Sequence, residues 1–292
     1  MDLEWPRNEQ AVVGVVSSGA DALPLGDTIN ASDDVTTIRD DVESVLAAEP
    51  TLVVADGESS LSALARAEPS VPVLPVGDVS GVDAVSPTAL PGALEAIANG
   101  DATLTELAVV DVRVEPKGDD VSPSRDADSS IERGDGDDRA DSIGNTTAPA
   151  ATVGEDSTRA LFDVTLVTDE PARISEYGLS SRGETVDTIR ADGLVVATAA
   201  GTSGYASALE TPQLSTAVDA VAVAPIAPFA TQARRWILPT DDLGLTVERD
   251  DGDVSLVVDD RVVQTVGVDD RIRLSVDSTL STVVVPADVP TV

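Results

Sequence analysis

The stretch richest in chemical possibility runs from Arg190 to Tyr205. Asp192-Gly193 opens a short apolar run, Leu194-Val195-Val196-Ala197. Thr198-Ala199-Ala200-Gly201-Thr202-Ser203-Gly204 follows, and a helix start is expected at Tyr205–Ala208. Small residues let a ligand approach the backbone closely. Hydroxyls and the free N–H groups of a helix start can then bind phosphate or ribose oxygens. The same composition also makes an ordinary turn. A second stretch is Val54-Ala55-Asp56-Gly57-Glu58-Ser59, where a carboxylate ends a buried apolar run. Asp56 is either a functional acid or a cap for the helix after it, a task that Ser59 also suits.

Composition narrows the chemistry. The chain has 292 residues and neither Cys nor His. It therefore has no cysteine nucleophile, disulfide, thiolate metal site, Ser-His-Asp triad or imidazole ligand. Carboxylates, hydroxyls, backbone amides and a hard cation are what remain for catalysis. Asp-Gly-Asp-Asp at 135–138 lacks the bidentate Glu of a calcium loop, so no protein metal site is expected.

With 53 acidic against 18 basic residues the formal net charge is −35, and Lys117 is the single lysine. Nucleic acid and anionic lipid are poor partners for such a surface. No apolar run approaches the roughly 20 residues of a membrane span, and the first residues lack a signal-peptide pattern, so a cytoplasmic location is expected. A charge this large opposes a compact state at low ionic strength, but the Debye length shrinks to about 3 Å at molar salt. Abundant Asp, scarce Lys and an apolar set of mostly Ala and Val resemble the proteins of salt-in halophilic archaea. The acidity then reports the solvent more than the substrate.

The elements that must position these residues follow from periodicity. Residues 11–16 and 51–54 are apolar enough for buried strands, and helical spacing of Val35, Ile38, Val42, Val45 and Leu46 predicts a helix over 35–49. Residues 59–67 and 91–99 are expected to be helices, with Pro91 in a first turn. Pro72 and Pro75 demote 71–76 to an edge strand or an extended segment. Alternating strand and helix give a small α/β domain over 1–106. The second domain, 107–292, opens with a strand at 107–114. Residues 116–158 are dominated by Asp, Ser, Gly, Thr and Pro, and are expected to form a disordered acidic insertion. From 161 onward short alternating strands predict a β-sandwich-like domain, with 271–276 and 282–285 as separate strands and Asp259-Asp260 as a turn.

The Asp192–Tyr205 segment resembles the NAD kinase pattern, an Asp-Gly strand followed by Thr-Pro-Thr-Gly-Ser-Thr-Ala-Tyr. Pro225-Ile226-Ala227-Pro228 is similar to the family's Pro-Ile-Cys-Pro, Arg235-Trp236-Ile237-Leu238 to its Arg-Pro strand, and Asp259-Asp260 to its late Asp-Gly. The family's Gly-Gly-Asp-Gly-Thr falls on Val54-Ala55-Asp56-Gly57-Glu58, without the leading glycines. Its Asn-Glu/Asp pair falls on Phe162-Asp163, without the Asn. The resemblance covers 160–265 well and 11–114 loosely.

The resemblance implies an α/β domain plus a β-sandwich-like domain, with a nucleotide in the crevice between them. It implies transfer of a phosphoryl group from ATP or polyphosphate to the 2′-hydroxyl of NAD. Asp56 would be the catalytic acid–base group. Gly57 and Gly201 would give backbone access. Asp163, Thr198, Thr202, Ser203 and Tyr205 would hold NAD, and Asp192 would fix the second-domain end of the site. Mg²⁺ would arrive with ATP, and the chain would self-associate. The lost glycines and Glu58 crowd and repel phosphate, which keeps open an alternative: a degenerate relative that binds NAD or another nucleotide without turnover. The adjacent Arg234 and Arg235 suit surface ion pairs better than a phosphate clamp.

Overall fold

The apolar run Ala11–Ser17 forms β1, the strand around which the first region assembles. The computed structural model describes residues 11–17, 23, 35–115, 158–170, 175–229, 234–250, 252–268 and 270–286. The proposed disordered insertion, apart from Thr158, lies outside the described residues, as does 135–138.

On one side β1 pairs in parallel with β2 (Val35–Arg39), and on the other with β3 (Leu52–Asp56). The helix expected over 35–49 is therefore two elements. β-Branched Val35, Thr36, Thr37 and Ile38 extend along β1, and only α1 (Val42–Ala47) is helical, capped by Asp41, whose side chain accepts from the Ser44 N–H. After β3 come α2 (Gly57–Ala67) and β4 (Val73–Val76). β4 is not an edge. It lies between β3 and β16 (Arg271–Val284), although it touches β16 at the single pair Val73↔Thr282. The short turn Pro87–Ala89 leads into α3 (Leu90–Asn99), whose Leu90, Ala93, Leu94 and Ile97 pack against β1, β3 and β4.

β5 (Thr103–Glu115) and β16 form a long antiparallel ribbon that crosses the 106/107 boundary and carries one sheet from the first region into the second. The two strands expected at 271–276 and 282–285 are one, because a bulge between Val276 and Ser278 absorbs the apparent turn. β6 (Thr158–Ala160) pairs with β5, so the chain on either side of 116–157 comes back to adjoining strands.

The remaining strands are β7 (Asp163–Thr168), β8 (Ser175–Ser181), β9 (Glu184–Ala191), β10 (Gly193–Ala197), β11 (Ala220–Ile226), β12 (Trp236–Pro239), β13 (Leu243–Arg249), β14 (Val254–Val258) and β15 (Arg261–Val266), with α4 (Gly204–Ala208) between β10 and β11. Among the described residues the strands form two sheets. One has the path β2-β1-β3-β4-β16-β13-β8-β9, with β5 and β6 attached through β16. The other is β12-β11-β10-β7-β14-β15. Their facing sides share a core that includes Val112, Leu166, Tyr177, Leu194, Leu245 and Leu256. The α/β region followed by a strand-rich sandwich is the architecture expected. No helix among the described residues is long and apolar enough to cross a membrane.

Candidate nucleotide site

β3 and β4 run parallel and end side by side, at the edge where open α/β sheets place their ligands. Asp56 is the last residue of β3. Its Oδ2 accepts from the Ser17 hydroxyl at 2.7 Å, and it makes no cap bond to α2. Of its two possible roles, then, helix capping is not the one its side chain performs. Gly57 has φ +79°, a conformation that costs a side chain strain, and nothing stands within 4 Å of where a Cβ would be. The Gly77 turn at the end of β4 lies against it, 3.7 Å from the Gly57 amide nitrogen and 3.8 Å from Asp56 Oδ1, measured from a Cβ built on Gly77.

The second component is the 198–205 loop. Thr198 turns inward: its hydroxyl donates to the Leu161 carbonyl at 2.6 Å and accepts from the Ala200 N–H, while its own N–H donates to the Phe162 carbonyl. Gly201 sits directly on that segment, where any Cβ would collide with the Phe162 carbonyl oxygen. The Thr202 hydroxyl is buried without a hydrogen-bond partner among the described residues. Ser203 precedes α4 without a cap bond from its side chain, and Tyr205 is 40% exposed.

Gly81 and Asp163 each face both halves of the site. Gly81 (φ +80°) of the β4–α3 connection packs on Ala200 and Thr202, with a Cβ position only 2.5 and 2.7 Å from their oxygens. Asp163, at the start of β7, faces charges from both halves. It is 7% exposed, and its carboxyl is pushed up to about 6, by burial first and then by the charges of Asp259, Asp260 and Glu58; the Thr165 hydroxyl bond at 3.0 Å partly opposes this. Glu58 is the second residue of α2, and Ala55, Leu61, Phe162 and Ala200 pack in one core cluster, so the Asp56 turn, the start of β7 and the 198–205 loop share one neighbourhood. Asp260 closes it, its Oδ1 3.9 Å from a Cβ position on Gly204.

Asp192 is not brought there. β10 runs from Gly193 to Ala197, so Asp192 lies at the opposite end from Thr198, about 20 Å away at roughly 3.3 Å per residue. Its backbone bonds to Thr168 and Ile226, and the Tyr177 hydroxyl approaches its carbonyl. A cleft of about 390 Å³ opens beside the Gly81 contact, lined by Asp83, Thr105, Ala199, Gln213 and Thr216 among others, but not by Asp56 or Asp163. Gly77, Gly81 and Asp260 border the site without being among the residues expected there. The two glycines carried a usable signal, since they punctuate the loop that follows a parallel strand.

An α/β region fused to a β-sandwich, with a strand-end carboxylate and a small-residue loop at the junction, defines a recognisable class: the fold is that of NAD kinases. A yeast NADH kinase solved with NADH superimposes with a TM-score of 0.70 at 13% identity, covering 97% of this chain and 85% of that one. An NAD kinase from Archaeoglobus fulgidus solved with ATP gives 0.63 at 16% identity, covering 95% and 94%. Residues 161–285 match the family model of the ATP-NAD kinase C-terminal domain. An NAD kinase of Methanosarcina barkeri is 28% identical over 122 residues, 41% of this chain and 44% of its own length. One from Methanopyrus kandleri is 31% identical over 128 residues, 44% and 43%. The matched segment thus spans under half of these curated relatives.

Proposed function

We propose that this chain transfers the γ-phosphoryl group of ATP, or the terminal phosphoryl of polyphosphate, to the 2′-hydroxyl of the adenosine ribose of NAD, giving NADP. The observation that carries this reading is the packing of the Asp56–Gly57 turn, the start of β7 at Asp163 and the 198–205 loop around one core cluster, in a chain with an NAD kinase fold and a matching C-terminal segment. Ser17 holds one oxygen of Asp56, leaving the other to accept the ribose 2′-hydroxyl proton. The ribose oxygen bonds to the γ-phosphorus, the bond to the β-phosphate bridge breaks, and ADP leaves. Gly57 and the first turn of α2 offer free N–H groups to the phosphates. Asp163 accepts ribose hydroxyls, while Thr202, Ser203 and Tyr205 border the NAD site. Thr198 and Gly201 hold the loop in shape through residues 161–162. Asp192 is outside this neighbourhood.

Mg²⁺ would arrive with the phosphates of ATP, where it would neutralise developing charge. The proposed functional division at 106/107 puts Asp56 in the first half and Asp163 with the 198–205 loop in the second, although β5 runs through the boundary. The composition supports a cytoplasm rich in salt as the setting, and the family likeness supports a homo-oligomer.

One observation favours the alternative of binding without turnover. Val54 and Ala55 are fully buried strand residues, so no glycine loop precedes Asp56, and Glu58 brings a charge to the phosphate approach. NADP formation from NAD and Mg-ATP in molar KCl, beside calorimetric NAD binding, separates the two. Turnover supports the kinase, whereas binding without turnover supports the degenerate relative.

A further inference from the structure

The turn between β14 and β15 has two residues, Asp259 and Asp260, both with positive φ (47° and 61°). Such turns favour Asn-Gly or Asp-Gly because a Cβ is strained in that conformation. What offsets the strain at Asp259 is visible in its carboxylate. One oxygen accepts from the Phe162 N–H at 2.8 Å and the Asp163 N–H at 3.2 Å. The other accepts from the Leu161 N–H at 3.0 Å and the Ser62 hydroxyl at 2.6 Å. The Asp259 N–H in turn donates to the Asp163 carbonyl at 3.1 Å.

These donors come from two distant places. Residues 161–162 link β6 to β7, where the sheet ladder is interrupted, so their N–H groups need a partner from elsewhere. Ser62 belongs to α2, the helix that begins directly after Asp56. Its hydroxyl is committed to Asp259 because Arg66, one turn later, donates to the Ser62 oxygen at 2.6 Å. A helix moves as a rigid body, so pinning its second turn fixes its first.

We propose that Asp259 is a positioning residue for the phosphoryl transfer, registering the helix that starts at Asp56–Gly57 against the strand that carries Asp163. The inference rests on the kinase reading above. The base sits on the α2 side and the NAD-holding carboxylate on the β7 side, so the Ser62–Asp259 bond is a direct tie between the two reacting components. Losing it leaves each component intact but loosens their mutual placement, which lowers kcat more than it raises KM.

The test is steady-state NADP formation in molar KCl by wild type, Ser62→Ala and Asp259→Asn. Ser62→Ala removes only the tie to α2 and leaves the three amide bonds in place. Its expected kcat is lower by about tenfold, with KM for NAD within about threefold, since misplacement by an ångström can cost up to a hundredfold. Asp259→Asn cannot accept with its amide nitrogen and is expected to lose more. It also deletes one of the charges facing Asp163, so the Asp163 carboxyl carbon, followed by NMR, should titrate at lower pH while Asp260, Glu58 and burial continue to hold it above the ordinary range. If both variants melt earlier but keep wild-type kcat, Asp259 is a fold staple only and the proposal is overturned. If wild type itself forms no NADP, the kinase reading fails first, a result distinct from equal rates in all three proteins.

Discussion

The NAD-holding role proposed for Asp163 would come at the expense of the fold. Burial beside Asp259, Asp260 and Glu58 pushes its carboxyl from 3.8 up to about 6. Between those values the folded chain keeps a proton that the unfolded chain has released. The folded state therefore loses stability as pH rises through this window, and the whole cost is present above pH 6. At about 1.4 kcal/mol per tenfold change, the displacement corresponds to roughly 3 kcal/mol. Molar salt trims the share contributed by Glu58 and Asp260 but leaves the burial share. Asp163→Asn keeps the shape and the acceptor for the Thr165 hydroxyl. It is expected to stabilise the protein by about 2–3 kcal/mol at pH 7.5 and by nothing measurable below pH 4, while weakening NAD binding at neutral pH. Urea unfolding in molar KCl across pH 3.5–8, followed by tryptophan fluorescence, reads this directly. A variant less stable than wild type at pH 7.5, or a gain that does not change with pH, would refute the reasoning.

Two further substitutions probe the loops. Glu58→Gln removes a charge from the first turn of α2 and should lower KM for ATP several-fold at low KCl, with the gain shrinking as KCl rises; an unchanged KM across salt would place Glu58 away from the phosphates. Gly201→Ala forces a methyl group against the Phe162 carbonyl and should cost about 1–3 kcal/mol in urea unfolding together with NAD affinity, whereas wild-type stability would mean that the loop does not pack on residues 161–162.

How far the sequence speaks depends on how local the cause is. The Asp56 turn was legible because a buried β-branched run ends at a glycine that opens an amphipathic helix, all within 51–67. The sandwich was legible from alternation. The segment 35–49 misled because Val35, Ile38, Val42, Val45 and Leu46 satisfy helical spacing even though the first part is a strand, and its pairing with β1 is not a local property. Residues 277–281 interrupt the apolar alternation and so divide 271–285 into two expected strands, and only the opposite strand β5 shows that a bulge continues the ladder. The resemblance to the NAD kinase pattern implies Asp192 and Thr198 as joint members of a site, yet an extended strand separates them. The role of Asp259 was beyond reach: its Ser62 partner lies 197 residues away, and a turn aspartate carries no sign of what its side chain will accept.

The most direct measurement is the rate of NADP formation by wild type and Asp56→Asn, from NAD and Mg-ATP in molar KCl. The account predicts measurable turnover by wild type and a loss of at least about a hundredfold in the variant with NAD binding retained, in keeping with removal of a general base. Equal rates in the two proteins, or a wild type that binds NAD and never phosphorylates it, would contradict it.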